Sequence, residues 1–455
     1  MTRRLVRLWP AVFWVALAFP AQTPAPDSSF RFAVAGDSII NRRISVYDEP
    51  GYLEMFARIR NADAAFTNFE TLVNDFEYPG APVSGGTYMA SPAWVIDELK
   101  WAGFRLFGIA NNHSFDYGTD GLLSNIRAFR KAGVVYAGAG ENLARARAPA
   151  YLDTKKGRVA LIACASTFSI LSPAGPQRPD MPGRPGLNPL RFKTTYTVDS
   201  ATFAALSNLT GSGEGATSAP VPRTELRFLG ASFRSGDQPG VTTEPNVQDV
   251  KEITAEIRDA RRQADWVMVS IHAHEGAPRN REVPAEFLAA FAHASIDAGA
   301  DLFVAHGPHV LRGIEIYKGK PIFYSMANFI FQNETLQFEP QEVYDEFHLP
   351  LTATPADYYD ARSANDTRGF PADKEYWQSV VAEAVFNEKR ELQQIVLSPI
   401  TLGFGESRTH RGRPMPASRA MAATIIDRVA KLSKLMGTTV TFEDGKGVIE
   451  ARHSP

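Results

Sequence analysis

Five apolar runs in this sequence end in polar side chains of the kinds that bind metal ions. The runs lie in residues 33–39, 64–73, 107–118, 266–276 and 301–313. Four of them open with a run rich in Ala, Val, Ile or Phe, which is typical of strands buried in a parallel sheet. Because the carboxyl ends of parallel strands lie along one edge of a sheet, the polar residues that follow should converge. These residues are Asp37, Glu70, Asn112, His113, His272, His306 and His309.

The composition is that of a globular protein and disfavours one class of partner. The chain has 455 residues, of which 44% are hydrophobic, and a formal net charge of -2. Since it contains no long basic run, nucleic acid is not a predicted partner. The single cysteine, Cys164, lies in an apolar run and cannot form an intramolecular disulfide, so we expect a buried, unreactive side chain.

The first residues resemble a targeting segment. A basic start precedes an apolar stretch that ends in small residues, which predicts a secretory signal peptide at 1–21 and a linker at 22–29. An uncleaved anchor is the alternative, but Pro10 and the modest apolar length disfavour a span of roughly 20 residues. We therefore expect export to the periplasm or the extracellular space, in association with the cell envelope.

Helical periodicity alternates with the strands, which predicts a layered α/β fold. Two antiparallel hairpins are expected at 151–165 and 313–326. Residues 170–245 are rich in Pro, Gly, Ser and Thr and are predicted to form an insertion in a main domain at 30–405. Residues 406–455 are predicted to form a C-terminal helix and hairpin. The predicted helices are 51–62, 92–103, 119–133, 246–264 and 417–437.

Two motifs give the strongest indication that the protein binds a metal ion. His306 and His309 flank Gly-Pro, so two imidazoles share one rigid loop, and imidazole nitrogen is a ligand for Zn, Mn or Fe. Asn112 supplies an amide oxygen beside His113, a residue type that can protonate a leaving group, and Asp116 could orient the His113 ring. A purely structural histidine cluster would require several independent coincidences.

The order of these motifs, followed by a specific YKGKPIFYSMANFIF segment, resembles the CapA family of poly-γ-glutamate capsule biosynthesis proteins. That family is part of the calcineurin-like metallophosphatase superfamily. The resemblance runs from about Phe30 to Phe331. It implies a four-layer α/β/β/α sandwich with a Pro/Gly-rich insertion and a dinuclear centre at one edge.

The resemblance also implies roles for individual residues. Two divalent ions (Mn, Zn or Fe) are expected, with Glu70 bridging them. His113, steadied by Asp116, would protonate the departing oxygen. Contacts to an anionic substrate are expected from Asn111, Arg184 and Asn328, and Arg191 and Arg312 are further candidates. The first ion would be held by Asp37 and His309, and the second by Asn112, His272 and His306.

The sequence departs from the usual pattern at three places. Glu70, in an Asn-x-Glu motif, stands where the superfamily usually has a bridging aspartate. Ile39 stands where metallophosphatases usually have a histidine ligand, so the first metal site lacks a residue that Asn68 or His274 could replace. Ala327 stands where the family's YSxGNF element usually has glycine.

Three hypotheses for function follow from the resemblance. The leading one is an exported metal-dependent hydrolase, acting on phosphoesters by superfamily analogy, in capsule or poly-γ-glutamate metabolism. The second is hydrolysis or transfer at an amide bond of a γ-glutamyl polymer. The third is a noncatalytic partner that binds polymer for a membrane-bound polymer synthase. The expected partners are accordingly an anionic polymer or phosphoester and, in the third case, that synthase.

Overall fold

The computed structural model describes residues 28–209 and 225–451. The predicted signal peptide at 1–21 and nearly all of the linker at 22–29 lie outside these residues. Among the residues described, no helix is both long enough and apolar enough to cross a membrane.

Strands alternate with helices along most of the described chain. The strands are β1 (Phe30–Ile39), β2 (Ala64–Phe69), β3 (Leu106–Gly108), β4 (Val135–Ala137), β5 (Ala139–Gly140), β6 (Ala150–Thr154), β7 (Gly157–Ala165), β8 (Gly186–Leu187), β9 (Phe192–Val198), β10 (Leu226–Phe228), β11 (Ala231–Ser235), β12 (Gly240–Pro245), β13 (Trp266–His272), β14 (Gly276–Ala277), β15 (Asn280–Pro284), β16 (Leu302–His306), β17 (Ile314–Tyr317), β18 (Lys320–Phe323), β19 (Asn328–Phe331), β20 (Gln378–Phe386), β21 (Leu392–Thr401), β22 (Met415–Pro416), β23 (Thr441–Glu443) and β24 (Lys446–Glu450).

The five predicted helices are present, with ends that differ from the predictions by a few residues. Two 3-10 helices also occur, at Phe370–Ala372 and Lys374–Trp377. The α-helices are α1 (Pro50–Asn61), α2 (Val95–Ala102), α3 (Gly118–Ala132), α4 (Leu143–Arg147), α5 (Ser200–Leu209), α6 (Val247–Gln263), α7 (Glu286–Asp297), α8 (Gln341–Glu346), α9 (Pro355–Ser363) and α10 (Arg419–Lys434).

Two mixed sheets form the centre of the fold. The ten-stranded sheet has the main order β23-β24-β21-β20-β1-β2-β3-β4, in which β1 to β4 are parallel, and β19 also pairs with β1. The six-stranded sheet has the order β17-β18-β16-β13-β7-β6. Its edge pairs, β6–β7 and β17–β18, are the two predicted antiparallel hairpins.

Side chains alternate along each central strand between two different cores, as a strand with both faces buried requires. In β1, Ala33 and Ala35 pack in a core with α1, α2 and α3, whereas Phe32 and Val34 pack between the two sheets. The far face of the six-stranded sheet packs against α6 and α7. The layers therefore run α/β/β/α, and the predicted fold class is confirmed.

The insertion is more regular than its composition suggests. Residues predicted as a Pro/Gly-rich excursion form the four-stranded sheet β10-β11-β9-β12, in which Tyr196 stacks on Phe233 with ring centroids 5.1 Å apart. The predicted C-terminal helix and hairpin are α10 and β23–β24. They extend the large sheet, because β24 pairs with β21.

Gly36 allows a close approach between β1 and the segment before β19. A Cβ atom at position 36 would lie 1.8 Å from the carbonyl oxygen of Ala327. The backbone N–H of Asp37 donates to the same carbonyl at 2.9 Å. Ala327 itself has φ 52, in the left-handed region that glycine adopts most readily, which accounts for glycine at this place in the family.

We expect Gly36→Ala to lower the free energy of unfolding by at least about 2 kcal/mol, because the added methyl group overlaps a backbone carbonyl. Gly51→Ala in α1 is a matched control, since its nearest new contact is 3.8 Å away. There the change should be neutral or stabilising by roughly 0.5 kcal/mol. Urea unfolding of both variants measures the difference, and equal stabilities would contradict the assigned clash.

Candidate metal centre

The ends of strands from both sheets bring the predicted ligands together. Asp37 lies in β1, and Glu70 directly follows β2. In the other sheet His272 ends β13 and His306 ends β16, and the two are paired in register. The gap between the sheets is closed at this edge, where His306 Nδ1 lies 3.2 Å from Asp37 Oδ1.

Three overlapping groups of side chains could each hold a metal ion, and within each group the ligand atoms lie within 4.8 Å of one another. Asp37, Glu70 and His272 each occur in two groups, as expected of adjacent sites. The groups are Asp37, His272 and His306; Glu70, His272 and His274; and Asp37, Glu70 and His309.

One group, that of Asp37, Glu70 and His309, is the set implied for the first ion by the family resemblance, whereas the other two differ from the set implied for the second ion. His306 was expected at the second ion but groups with Asp37, which was expected at the first. His274 joins the centre, with its Nε2 2.9 Å from Nε2 of His272. Of the two residues considered as replacements at the position of Ile39, Asn68 is used differently, because its Nδ2 donates to Asp37 Oδ1 at 2.8 Å.

The spacing of His272 and His274 in the sequence indicates that both side chains can reach the same site. Residues two apart on an extended chain point to the same side. His272 and His274 have this spacing directly after the buried run of β13. Both rings therefore turn toward Glu70, and His272 Nε2 lies 3.6 Å from Glu70 Oε1.

Unsatisfied buried oxygens indicate that the cluster is suited to cations. Glu70 is fully buried, and neither of its carboxylate oxygens has a hydrogen-bond partner in the part of the chain that the structure describes. The buried Oδ1 of Asn112 also lacks one, while its Nδ2 donates to the carbonyl of Gly85 at 2.9 Å. A buried polar atom without a partner is costly, and a divalent metal ion satisfies oxygen and imidazole ligands together. The residues present therefore fit a metal.

The two carboxylates of the centre have opposite protonation tendencies. Burial, and next the charge of Asp37, raises the pKa of Glu70 well above its ordinary value of 4.5. Burial also acts to raise the pKa of Asp37, but the hydrogen bond and charge of His306 outweigh it, so this pKa is lowered. Without a metal, Glu70 therefore holds a proton more readily than Asp37 does.

Burial also keeps the imidazoles neutral. It is the largest cause lowering the pKa of His272, of His309 and of His274, the last to about 3. Neutral imidazole is the form that coordinates metal, so at neutral pH these rings need not lose a proton to bind.

Asn328 holds His309 in place. His309 has φ 58, an uncommon conformation for a residue other than glycine, and its Nδ1 lies 2.8 Å from Asn328 Oδ1. If Nδ1–H donates there, Nε2 is left as the free ligand atom, and it lies 3.6 Å from Glu70 Oε1. A hydrogen bond of this kind fixes the tautomer and orientation of a metal-binding histidine.

His113 and Asp116 form a buried dyad beside the cluster. Nδ1 of His113 lies 2.7 Å from Asp116 Oδ2, and its Nε2 lies 4.0 Å from Glu70 Oε1. Asp116 also accepts backbone N–H bonds from Gly85 at 2.7 Å and Met89 at 2.9 Å. The carboxylate is therefore fixed, and it directs Nε2 of His113 toward the proposed metal ligands.

Comparison with known proteins places the chain in a family. A model of the bacterial capsule synthesis protein PGA_cap matches residues 31–333. The chain belongs to this family. The family lies within the metallophosphatase-like superfamily, so the predicted family is confirmed together with the fold class.

Individual relatives span most of the chain. Two uncharacterized proteins of Sinorhizobium fredii, y4sH and y4uA, are each 36% identical over 443 residues, which is 92% of this chain and 93% of theirs. The PGA biosynthesis protein CapA of Bacillus subtilis is 25% identical over 378 residues, covering 78% of this chain and 80% of that protein. The capsule biosynthesis protein CapA of Bacillus anthracis is 28% identical over 317 residues, 67% of this chain and 60% of that one.

The predicted substrate-binding residues lie in different surroundings. Asn111 is buried, donates to the carbonyl of Phe69 at 2.8 Å, and accepts the N–H of His113 at 3.1 Å. Like Asn328, it is committed to the protein's own contacts. Arg184 is exposed, and its guanidinium donates to the carbonyl of Pro173 at 3.1 and 3.2 Å. Substrate contacts by these three residues stay predictions.

Two further arginines were considered as anion contacts. Arg191 pairs with Asp249 at 2.7 Å and is thereby neutralised. Arg312 is buried, and its Nη2 donates to the carbonyl of His274 at 3.1 Å, which places it behind the metal-binding loop. Its guanidinium therefore supports the backbone of a candidate ligand.

We expect the wild-type protein to bind two equivalents of a divalent transition metal, and Glu70→Ala and His309→Ala each to lose metal. His293→Ala is the matched control, because His293 stacks on Tyr317 and pairs with Glu315 outside the cluster. Elemental mass spectrometry of the reconstituted proteins gives the metal content. Wild-type protein that binds no metal would contradict the assignment.

Metal binding should release protons. In the metal-free protein the raised pKa of Glu70 means that this group retains a proton at pH values where an ordinary glutamate has lost it. A metal ion requires the carboxylate, so its affinity should increase as the pH rises through the pKa of Glu70. Calorimetry in buffers of different ionisation enthalpy counts the protons, and Glu70→Gln should release fewer. Equal release would contradict this origin.

Proposed function

We propose that this protein is a metal-dependent hydrolase that acts on an anionic polymer in capsule or poly-γ-glutamate metabolism. The observation that carries the proposal is the His113–Asp116 dyad, whose free nitrogen lies 4.0 Å from the unsatisfied carboxylate of Glu70. A protein that only binds metal or polymer needs no oriented proton donor beside its ligands. Hydrolysis does need one, because the leaving group must be protonated.

We assign the role of each group of residues from the geometry of the site. A metal ion bound by Asp37, Glu70 and the imidazoles would supply Lewis acidity and an activated water. Asp116 accepts a hydrogen bond from Nδ1–H of His113 and stabilises the imidazolium form of that ring. His113 can then deliver its Nε2 proton to the departing atom. Burial of the dyad excludes competing water, since both side chains are nearly inaccessible to solvent.

Family membership supports the choice of pathway. The names of the two Bacillus relatives refer to capsule or PGA biosynthesis. A probable polyglutamine synthesis accessory protein of Mycobacterium tuberculosis is 26% identical over 230 residues, 49% of this chain and 44% of that protein. We propose that this chain works in the same branch of metabolism, after export by its N-terminal segment.

His113→Ala should reduce turnover by roughly 10²- to 10⁴-fold while leaving the metal content unchanged, because it removes a proton donor and no ligand. The loss should be largest for substrates with a poor leaving group and small for a p-nitrophenyl ester, whose leaving group needs no proton. Asp116→Asn should show the same selectivity more weakly. Steady-state kinetics on matched ester pairs provides the measurement.

The control for this experiment is His293→Ala, which changes a histidine outside the site. Equal losses of activity for good and poor leaving groups would contradict a general-acid role for His113. If the metal-loaded wild type hydrolyses no phosphoester and no γ-glutamyl amide but retains polymer binding, the noncatalytic partner hypothesis replaces this proposal.

A further inference from the structure

A cavity of about 480 Å³ adjoins the metal centre. One wall is Phe370, whose ring lies 5.5 Å from that of His309, edge to face. A second is Tyr376, whose carbonyl accepts Nδ2 of Asn328, the residue that holds His309. The cavity therefore shares two of its walls with a candidate metal ligand and has the volume of an ordinary ligand pocket.

Arg362 and Arg368 line this cavity without a carboxylate partner among the described residues. Arg362 donates to the hydroxyl oxygens of Thr87 and Tyr358. Arg368 donates to the carbonyls of Arg362, at 3.0 Å, and Ala361, at 3.3 Å. Both guanidinium groups thus bond only to neutral oxygens and keep their full positive charge.

The acidic residues around the cavity do not cancel this charge. In the cavity wall, Glu334 pairs with Arg411 at 2.5 Å and Asp373 pairs with Arg281 at 2.5 Å. Glu339 also attracts Arg362, but burial raises the pKa of Glu339 to about 8, which favours its uncharged form. Two positive charges are therefore left for a ligand.

The turn that leads to Arg368 has an unusual backbone. Ala364, Asn365 and Asp366 have φ values of 49, 54 and 63, three consecutive non-glycine residues in the left-handed region. Asp366 is held by Arg411 through contacts of 2.7 and 3.1 Å. Residues kept in sparsely populated conformations by their surroundings cluster at ligand-binding positions.

An unsatisfied amide accompanies the two arginines. Asn333 lines the cavity and is 4% exposed, and among the described residues its buried Oδ1 has no hydrogen-bond partner. The two arginines indicate an anionic ligand. The proposed function in poly-γ-glutamate metabolism makes carboxylates the anionic groups to test, with polyphosphate as the competing class.

We propose that this cavity is a substrate subsite in which Arg362 and Arg368 bind the carboxylates of a polyamide chain while the chain crosses the metal centre. The inference rests on the proposed function in treating that chain as the substrate. Arginine suits this role because its planar fork can bind a carboxylate through two parallel N–H bonds. The two arginines are accordingly specificity-determining residues, separate from the metal ligands and the dyad.

Binding of a fluorescent γ-linked hexaglutamate to the metal-loaded protein, followed by anisotropy, tests the subsite. We expect Arg362→Gln and Arg368→Gln each to weaken binding about tenfold, the loss expected for one charge-assisted hydrogen bond. Their metal content should not change. Arg58→Gln is the matched control, because Arg58 also lies in the last turn of a helix but lines a different cavity.

Two competing probes decide the ligand class. The uncharged γ-linked hexaglutamine should bind at least about tenfold more weakly than hexaglutamate. Inorganic polyphosphate of equal charge should also bind more weakly. Wild-type affinity in both arginine variants would overturn the subsite, and tighter arginine-dependent binding of polyphosphate would overturn the carboxylate assignment.

Stability and turnover controls separate the alternatives. Arg362 contacts Thr87 and Tyr358, so its loss can also affect stability. If Arg362→Gln has a lowered melting temperature, the test relies on Arg368→Gln, because Arg368 is exposed. Arginine-dependent binding with no hydrolysis of any substrate would refute the hydrolase and uphold the subsite. Hydrolysis by the wild type, with no change of affinity or KM in either arginine variant, would uphold the hydrolase and refute the subsite.

Discussion

The burial of two carboxylates side by side determines the character of this molecule. Asp37 and Glu70 are both inaccessible to solvent, and among the described residues the groups that face them are imidazoles and amides, without lysine or arginine. Burial favours the neutral form of His272, His274 and His309, so these imidazoles do not balance two negative charges. The cluster must therefore hold protons or take up cations, and the surrounding nitrogen and oxygen ligands favour a metal ion.

The sandwich architecture provides the rigidity that such a cluster needs. Asp37 and Glu70 come from the large sheet, and His272 and His306 come from the smaller one, so the centre spans both. The core between the sheets is closed by apolar side chains from both and by α10. Because interiors are close-packed, the sheets cannot slide without breaking this core, and the distances between ligands are preserved.

The fold and most of the cluster could be predicted from sequence because their signals are local. Apolar runs marked β1, β2, β13 and β16, and the polar residue after each run lay where parallel strands end. The grouping of His306 with Asp37 could not be predicted in this way. Whether His306 faces Asp37 or Asn112 depends on how two sheets approach each other, and neither strand encodes that distance.

The structure of the segment 333–378 also could not be predicted from the sequence. Its helices are short, and its shape depends on contacts from far along the chain, such as Arg408 with Asp360 and Arg411 with Asp366. Periodicity cannot report such pairs. The same reasoning applies to Asn328 and Asn111, whose hydrogen bonds to His309 and His113 the sequence did not predict and whose contacts to substrate stay predictions.

The connection from β19 to β20 has a consequence for how the family can diversify. Both strands pair with β1, the strand that carries Asp37, so the ends of segment 333–378 are anchored beside the metal centre. Everything between those anchors can change in length and composition while the metal-binding strand keeps its neighbours. Selection can therefore remodel this surface beside the candidate metal centre without disturbing the strand that carries Asp37.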